Sequence, residues 1–211
     1  REYIKDVGTI DRIKEAKKDL KSIKYKNGNL NKKIPAIFLD RDGVINLDKN
    51  DGKYQNPKKI ISNVPEAIKL INSKGFLCVL ITNQPSIAKG YITKKKLMND
   101  FMFLENKLAT KGAYIDRIYF CPHHPEKGFK NEVKDLKISC NCRKPKNGLI
   151  LRAIKELNID IKKSYFIGDR YSDYKAAKKT NLKFINVGKN KYNFKIKKRD
   201  LYEAINHIFK R

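Results

Sequence analysis

Ile34-Pro35-Ala36-Ile37-Phe38-Leu39-Asp40-Arg41-Asp42-Gly43 decides how this chain is read, because an apolar run stops abruptly at two carboxylates separated by one residue. Such a run reads as a buried parallel strand whose carboxyl end opens into a crevice, where α/β proteins place their sites. Two acids there need a cation. A first carboxylate can attack phosphorus while the second protonates the leaving oxygen, and a divalent ion neutralises acids and phosphate together. Taken alone, the pair could equally cap a turn. A calcium loop fits poorly, since that pattern wants an acid or amide at position 44 and Val44 stands there.

Three downstream stretches favour chemistry over a turn. Phe76 to Ile81 is a second apolar run, ending in Thr82-Asn83-Gln84 with a hydroxyl and two amides. Cys142-Arg143-Lys144-Pro145 supplies cations just before a helix, and Tyr165-Phe166-Ile167-Gly168-Asp169-Arg170 is a third run ending in an acid. The expected roles follow from charge: Asp40 as nucleophile, Asp42 as general acid and then base, Thr82 and Lys144 on the phosphoryl oxygens. Asp169, with Asp40 and the backbone carbonyl of Asp42, is expected to hold Mg²⁺, a hard ion that takes oxygen ligands. Asn83, Gln84 and Arg170, next to these groups, are expected to meet the substrate.

Cys121-x-His123 and Cys140-x-Cys142 offer three thiolates and an imidazole, the donor set of a tetrahedral structural zinc site. Disulfides are the competing reading. The absence of a secretory signal and the mid-strand position of Cys78 favour a reduced compartment and a metal. Four protein ligands leave no open position for water, so this zinc would stiffen the loop from Cys121 to Cys142, which carries Arg143 and Lys144 towards the phosphate. His124 and His207 are expected to stay outside the ligand set.

The patterning predicts strands at 35–39, 76–82, 115–120, 164–168 and 183–187. Helices are expected near 64–73, 93–110, 148–157, 172–180 and 200–209, with start signals at Asn63, Thr93 and Asp200. That alternation is a doubly wound α/β fold with a mainly parallel sheet. The connections leave no room for a separate cap of ~60 residues. Loops must then close the site, with Leu47 to Lys59, Pro85 to Tyr91 and the zinc loop as candidates.

With 211 residues the chain fits one sizeable domain and a short appendage. Its net charge of +27 suggests a nucleic-acid binder, yet only nine of the 49 basic residues are Arg and the lysines are dispersed, densest over Asn190 to Arg199. Dispersion argues against a nucleic-acid partner and for a compositional bias that still attracts small anions. No run approaches the ~18 apolar residues of a membrane span, and no signal peptide is visible, so a cytoplasmic home is expected.

The motifs Asp40-x-Asp42-Gly43, Thr82, Lys144 and Gly168-Asp169 with Asp173 together resemble the haloacid dehalogenase superfamily of phosphatases. Phe38 to Asn46, Thr82-Asn83-Gln84 with Ile87-Ala88-Lys89-Gly90, Cys121-Pro122-His123-His124-Pro125 and Cys140 to Pro145 resemble the branch of heptose bisphosphate and histidinol-phosphate phosphatases, over about 34 to 190. The resemblance implies Mg²⁺, zinc on the four Cys/His positions, and sugar contacts from Asp48 and Arg143. It implies release of the 7-phosphate from D-glycero-D-manno-heptose 1,7-bisphosphate, with histidinol phosphate or a 3'-phosphorylated polynucleotide as alternative substrates. The sequence departs from the heptose pattern after Asn46, where Asp48-Lys49-Asn50-Asp51-Gly52-Lys53-Tyr54 replaces Asp-x-Gly-Tyr, and at Pro85-Ser86.

Residues 1 to 33 read as an amphipathic helix and a linker, and 34 to 211 as the phosphatase domain. Tyr3 to Arg12 resembles the last signature of sugar-1-phosphate nucleotidyltransferases, with Ile10 where Pro is usual. The chain opens on Arg1 and not Met, so it is expected to continue from a longer protein, with a fused or upstream nucleotidyltransferase as partner.

Overall fold

The structure is a computed structural model that describes residues 11, 13–14, 33–48, 59–188 and 192–210. The chain separates into two compact units, Arg1–Lys33 and Ile34–Arg211. In the first, residues 11, 13 and 14 are helical. The remainder of the expected amphipathic helix, the linker and nearly all of the nucleotidyltransferase-like stretch lie outside the described residues.

The second unit is built on six strands: β1 (Ala36–Leu39), β2 (Leu77–Asn83), β3 (Arg117–Cys121), β4 (Tyr165–Gly168), β5 (Lys183–Val187) and β6 (Lys197–Lys198). They lie in the order β3-β2-β1-β4-β5-β6, and every pair is parallel. Helices α1 (Val64–Ser73), α2 (Lys94–Ala109), α3 (Gly148–Glu156), α4 (Tyr171–Lys178) and α5 (Leu201–Phe209) cover the two faces.

Strand alternation sorts the core into two layers. Ile37 and Leu39 of β1 pack with Ile68 of α1, Leu97 of α2 and Ile205 of α5. Ala36 and Phe38 face the opposite way, onto Ile150 and Ala153 of α3 and Ala176 of α4. All four β1 residues are fully buried, which is why β1 reads as an unbroken apolar run and not as an alternating one. Each large aliphatic side chain removed from water this way stabilises the fold by about 1.5–3 kcal/mol.

The site is placed by topology. Chain order reverses between β1 and β4, so the loops leaving these two strands part to opposite sides and leave a crevice at their carboxyl ends. Asp40 and Asp169 are the first residues past those ends. Leu39, the last residue of β1, pairs with Leu80 on one side and Ile167 on the other, so β4 ends one residue beyond that level and β2 runs three residues beyond it, to Asn83.

Two details differ from the sequence expectation. Strand β6 lies within the lysine-dense segment and pairs only with Asn186 and Val187; a two-residue edge strand with charged side chains carries no hydrophobic alternation to read. Asn63 makes no side-chain cap, because its backbone (φ −90°, ψ 12°) is not the extended conformation that aims a capping oxygen at the helix. Thr93 and Asp200 do cap, accepting from the amides of Lys96 and Glu203 at 3.1 and 2.9 Å.

Candidate active site

The turn after β1 is tightly wound. The amides of Ile45 and Asn46 both donate to the carbonyl of Arg41, at 2.8 and 3.0 Å, and Gly43 takes a φ of +85°. A Cβ at Gly43 would come within 2.3 Å of Asp169 Oδ2, so the backbone conformation and the close approach to the acid both require glycine. Asp40, 6% exposed, has one oxygen fixed by the amide of Arg41 at 2.7 Å.

Lys144 sits at the centre. Its ammonium lies 2.8 Å from Asp40 Oδ1, 2.7 Å from Asp173 Oδ1 and 2.9 Å from the carbonyl of Ile81, and it is almost entirely buried. Burial alone would pull the Lys144 pKa down. Asp173 and Asp40 outweigh it, and the amine is held charged.

Asp40, Asp169 and Asp173 each offer an oxygen within 4.8 Å of the others. Burial, followed by the neighbouring Asp40 and Asp173, pushes Asp169 up to about 8. Burial also raises Asp173, to about 6, against the opposing pull of Lys144. Three acids around one ammonium carry surplus negative charge, and a hard dication with oxygen ligands is the group that relieves it. In the sequence Asp173 appears only as part of the motif; the fold adds it to this cluster by starting α4 two residues after Asp169, with Asp173 in its first turn.

The carboxylate of Asp42 lies outside that cluster. Arg41 donates to it twice, Nε to Oδ1 and Nη2 to Oδ2, both at 3.0 Å, and Gln84 Nε2 donates to Oδ2 at 3.1 Å. Burial raises the pKa of Asp42, and Arg41 is the main opposing influence. Arg41 is 1% exposed, with its guanidinium over the Phe101 ring at 5.9 Å. Sequence reasoning missed this residue, although an arginine between two acids at a buried strand end was a usable signal.

Gln84 also donates to Thr82 Oγ1 at 2.8 Å, so one amide aligns the hydroxyl and the second acid. Asn83, expected to meet substrate, directs both ends of its amide to the backbone of Lys144: Nδ2 donates to its carbonyl and Oδ1 accepts from its amide, each at 3.0 Å. Asp48 and Arg170 form an ion pair. Together with Asp40, Asp42, Gln84 and Arg143 they line a cavity of about 210 Å³. A larger cavity of about 820 Å³ lies along β5 and β6, lined by Tyr174, Phe184 and Phe194. None of the converging acids reaches it, so convergence and not volume marks the candidate site. Of the loops expected to close the site, residues 49–58 lie outside the described residues.

Cys121 ends β3, and its sulfur lies 3.6 Å from that of Cys140 and 3.1 Å from that of Cys142; Cys142 to Cys140 is 3.2 Å. His123 Nδ1 is 3.2 Å from Cys142 and 3.7 Å from Cys121. A tetrahedral zinc ion with thiolates at 2.3 Å has edges of about 3.8 Å, so the four donors fit it with slight expansion. All four cysteines of the chain are free thiols, and burial pushes the Cys121 thiol well up, a cost that a bound dication offsets. Arg143 Nη1 donates to the carbonyl of His123 at 3.3 Å, tying that cation to the same loop. His124, beside this group of donors, is buried and lies edge-on to Phe129.

Residues 141–207 match the family model described as HAD-hydrolase-like. The chain is 40% identical over 149 residues to the D-glycero-β-D-manno-heptose-1,7-bisphosphate 7-phosphatase of Yersinia pestis, covering 71% of this chain and 77% of that protein. The enzyme of the same name from Haemophilus influenzae is 41% identical over 142 residues, 67% of this chain and 74% of its own length. Among solved structures, D,D-heptose 1,7-bisphosphate phosphatase from B. bronchiseptica, complexed with magnesium and phosphate, superposes with a TM-score of 0.70 at 25% identity, over 84% of this chain and 99% of that one.

Proposed function

The chain belongs to the HAD-like phosphatases, in the family of its heptose bisphosphate relatives, and from that membership we propose that it removes the 7-phosphate of D-glycero-β-D-manno-heptose 1,7-bisphosphate. The observation that carries the proposal is the meeting of Asp40, Lys144, Asp169 and Asp173 at one strand-end crevice, in a chain whose curated relatives share one named substrate.

In the proposed reaction an oxygen of Asp40 attacks the 7-phosphorus and the bond from phosphorus to the sugar oxygen breaks, leaving an aspartyl phosphate. Asp42 gives its proton to the departing sugar oxygen. Asp42 then accepts a proton from water, the water oxygen attacks phosphorus, and the bond to Asp40 breaks to release inorganic phosphate. Thr82 and Lys144 hold the phosphoryl oxygens, where charge gathers in the transition state.

Mg²⁺, held by Asp40, Asp169, Asp173 and the backbone carbonyl of Asp42, supplies charge neutralisation for acids and phosphate when bound. Zinc on Cys121, His123, Cys140 and Cys142 is structural, and it stiffens the loop that carries Arg143. Arg143, Gln84, Asp48 and Arg170 form the sugar side of the cavity. No helix among the described residues is long and apolar enough to cross a membrane, and reduced thiolates suit a cytoplasmic enzyme.

The test is phosphate release from both anomers of the heptose bisphosphate, from histidinol phosphate and from a 3'-phosphorylated oligonucleotide. The proposal expects the β-anomer to give the highest kcat/KM. A preference for either of the other two compounds would overturn it.

A further inference from the structure

The neighbours Arg143 and Lys144 are tied to different supports. Arg143 reaches back to the carbonyl of His123 in the Cys/His loop. Lys144 is fastened to β2: its ammonium donates to the carbonyl of Ile81, and its own amide and carbonyl bond to the Asn83 side chain. Ile81 and Asn83 flank Thr82, so the two tethers bracket the hydroxyl that shares the phosphoryl oxygens with Lys144. The assignment of the Asn83 amide follows from its partners, since the Lys144 N–H needs an acceptor and the Lys144 carbonyl needs a donor. Asn83 itself pairs in register with Cys121 at the end of β3, which places it in the sheet and not in a loop.

We propose that Asn83 is a positioning residue that holds Lys144 in register with Thr82, so that the phosphate cradle is built from β2 while the zinc loop governs Arg143 alone. The idea rests on the proposed phosphatase reaction for the role of Lys144, but the tether itself is a property of the backbone. A shift of the ammonium by about 1 Å is enough to cost about 10²-fold in rate. Loss of the tether therefore acts on kcat, and loss of the zinc loop acts on KM.

The experiment is a double-mutant cycle with p-nitrophenyl phosphate and the heptose bisphosphate, together with hydrogen exchange at the Lys144 amide followed by NMR. Asn83→Ala is expected to lower kcat by about 10- to 100-fold with KM changed by less than about 3-fold, and to speed exchange at Lys144. Because Asn83 acts only through Lys144, the double variant Asn83→Ala/Lys144→Met should lose no more than Lys144→Met alone. Cys142→Ser should show the reverse pattern, a raised KM for the bisphosphate with kcat and Lys144 exchange held. Should Asn83→Ala fail to fold, Asn83→Asp, of the same shape, keeps the acceptor and loses the donor, and should show the same kcat-dominated loss. Losses that multiply in the cycle, an effect confined to KM, or unchanged exchange at Lys144 in Asn83→Ala, which removes the acceptor, would each overturn the proposal. Fast exchange without turnover of any phosphomonoester would uphold the tether and count against the phosphatase reading instead.

Discussion

Arg41 grips the carboxylate of Asp42 at two points, Nε on Oδ1 and Nη2 on Oδ2, each at 3.0 Å. The fork leaves the acid little freedom to rotate, which fixes the group that the proposed reaction turns first to the leaving oxygen and then to a water. Arg41→Met keeps the length of the side chain and removes the grip. It is expected to slow alkyl phosphates by about 10²-fold and p-nitrophenyl phosphate much less, because nitrophenolate leaves without a proton. Equal losses on both substrates in kcat/KM, which reports only as far as departure of the leaving group, would count against a role of the fork in proton donation.

Asp40→Asn removes the oxygen that attacks in the proposed reaction and barely changes volume. Turnover should fall by at least about 10⁴-fold while the melting temperature changes by a few degrees. Residual activity near that of wild type on any phosphomonoester would rule out the covalent route.

Lys144 is the counter-charge of two buried acids and, in the proposed reaction, a phosphate ligand. Lys144→Met should reduce kcat by about 10²- to 10³-fold. It should also destabilise the magnesium-free protein by about 3–5 kcal/mol, since it strips a partner from a buried charge cluster. Denaturant titration with and without Mg²⁺ checks the second part: added ion should recover some of the loss.

Without a cation, Asp169 titrates at about 8 and Asp173 at about 6, both above the ordinary carboxyl value. Over that window the folded state binds more protons than the unfolded chain, so stability falls as pH rises from about 5 to about 8. Mg²⁺ should reverse the trend, because it favours the ionised acids, and its uptake should release protons. Melting curves across this range check the sign, and calorimetry in two buffers of different ionisation enthalpy counts the protons. A cation-free protein that gains stability with rising pH would contradict the charge balance described for the site.

Cys140→Ser removes one of four ligands. Zinc content by elemental analysis should drop from one per chain towards zero, and KM for the bisphosphate should rise as the loop holding Arg143 loosens. Retained zinc would mean the four donors do not act as one site.

The sequence carried the scaffold unusually far, and particular residues show why. β1, β2 and β4 are buried on both faces, so they appear as continuous apolar runs, and the polar residues that follow, Asp40, Gln84 and Asp169, mark where the strands end. Among the described residues, the five helices of Ile34–Arg211 begin and end within two residues of expectation, because amphipathic spacing and the caps at Thr93 and Asp200 are local signals. β6 escaped, since two lysines at a sheet edge bury nothing that patterning can detect. Asn63 was read as a cap from its residue type, but capping depends on a backbone angle that the residue type does not set.

By itself, then, the sequence determined the order of the strands' ends along the chain, the chemistry of the groups placed there, and two groups of donors, one of carboxylates and one of three cysteines and a histidine. Only the tertiary structure decided which of these side chains meet one another. Asn83 turned out to hold the backbone of Lys144, Arg41 to grip Asp42, and Asp173 to join Asp40 and Asp169. These relationships join residues from different strands and loops, or depend on which way a side chain turns from a buried turn. The physical reason is that composition and periodicity report burial and local propensity, whereas a hydrogen bond is directional and forms only where packing brings donor and acceptor within about 3 Å.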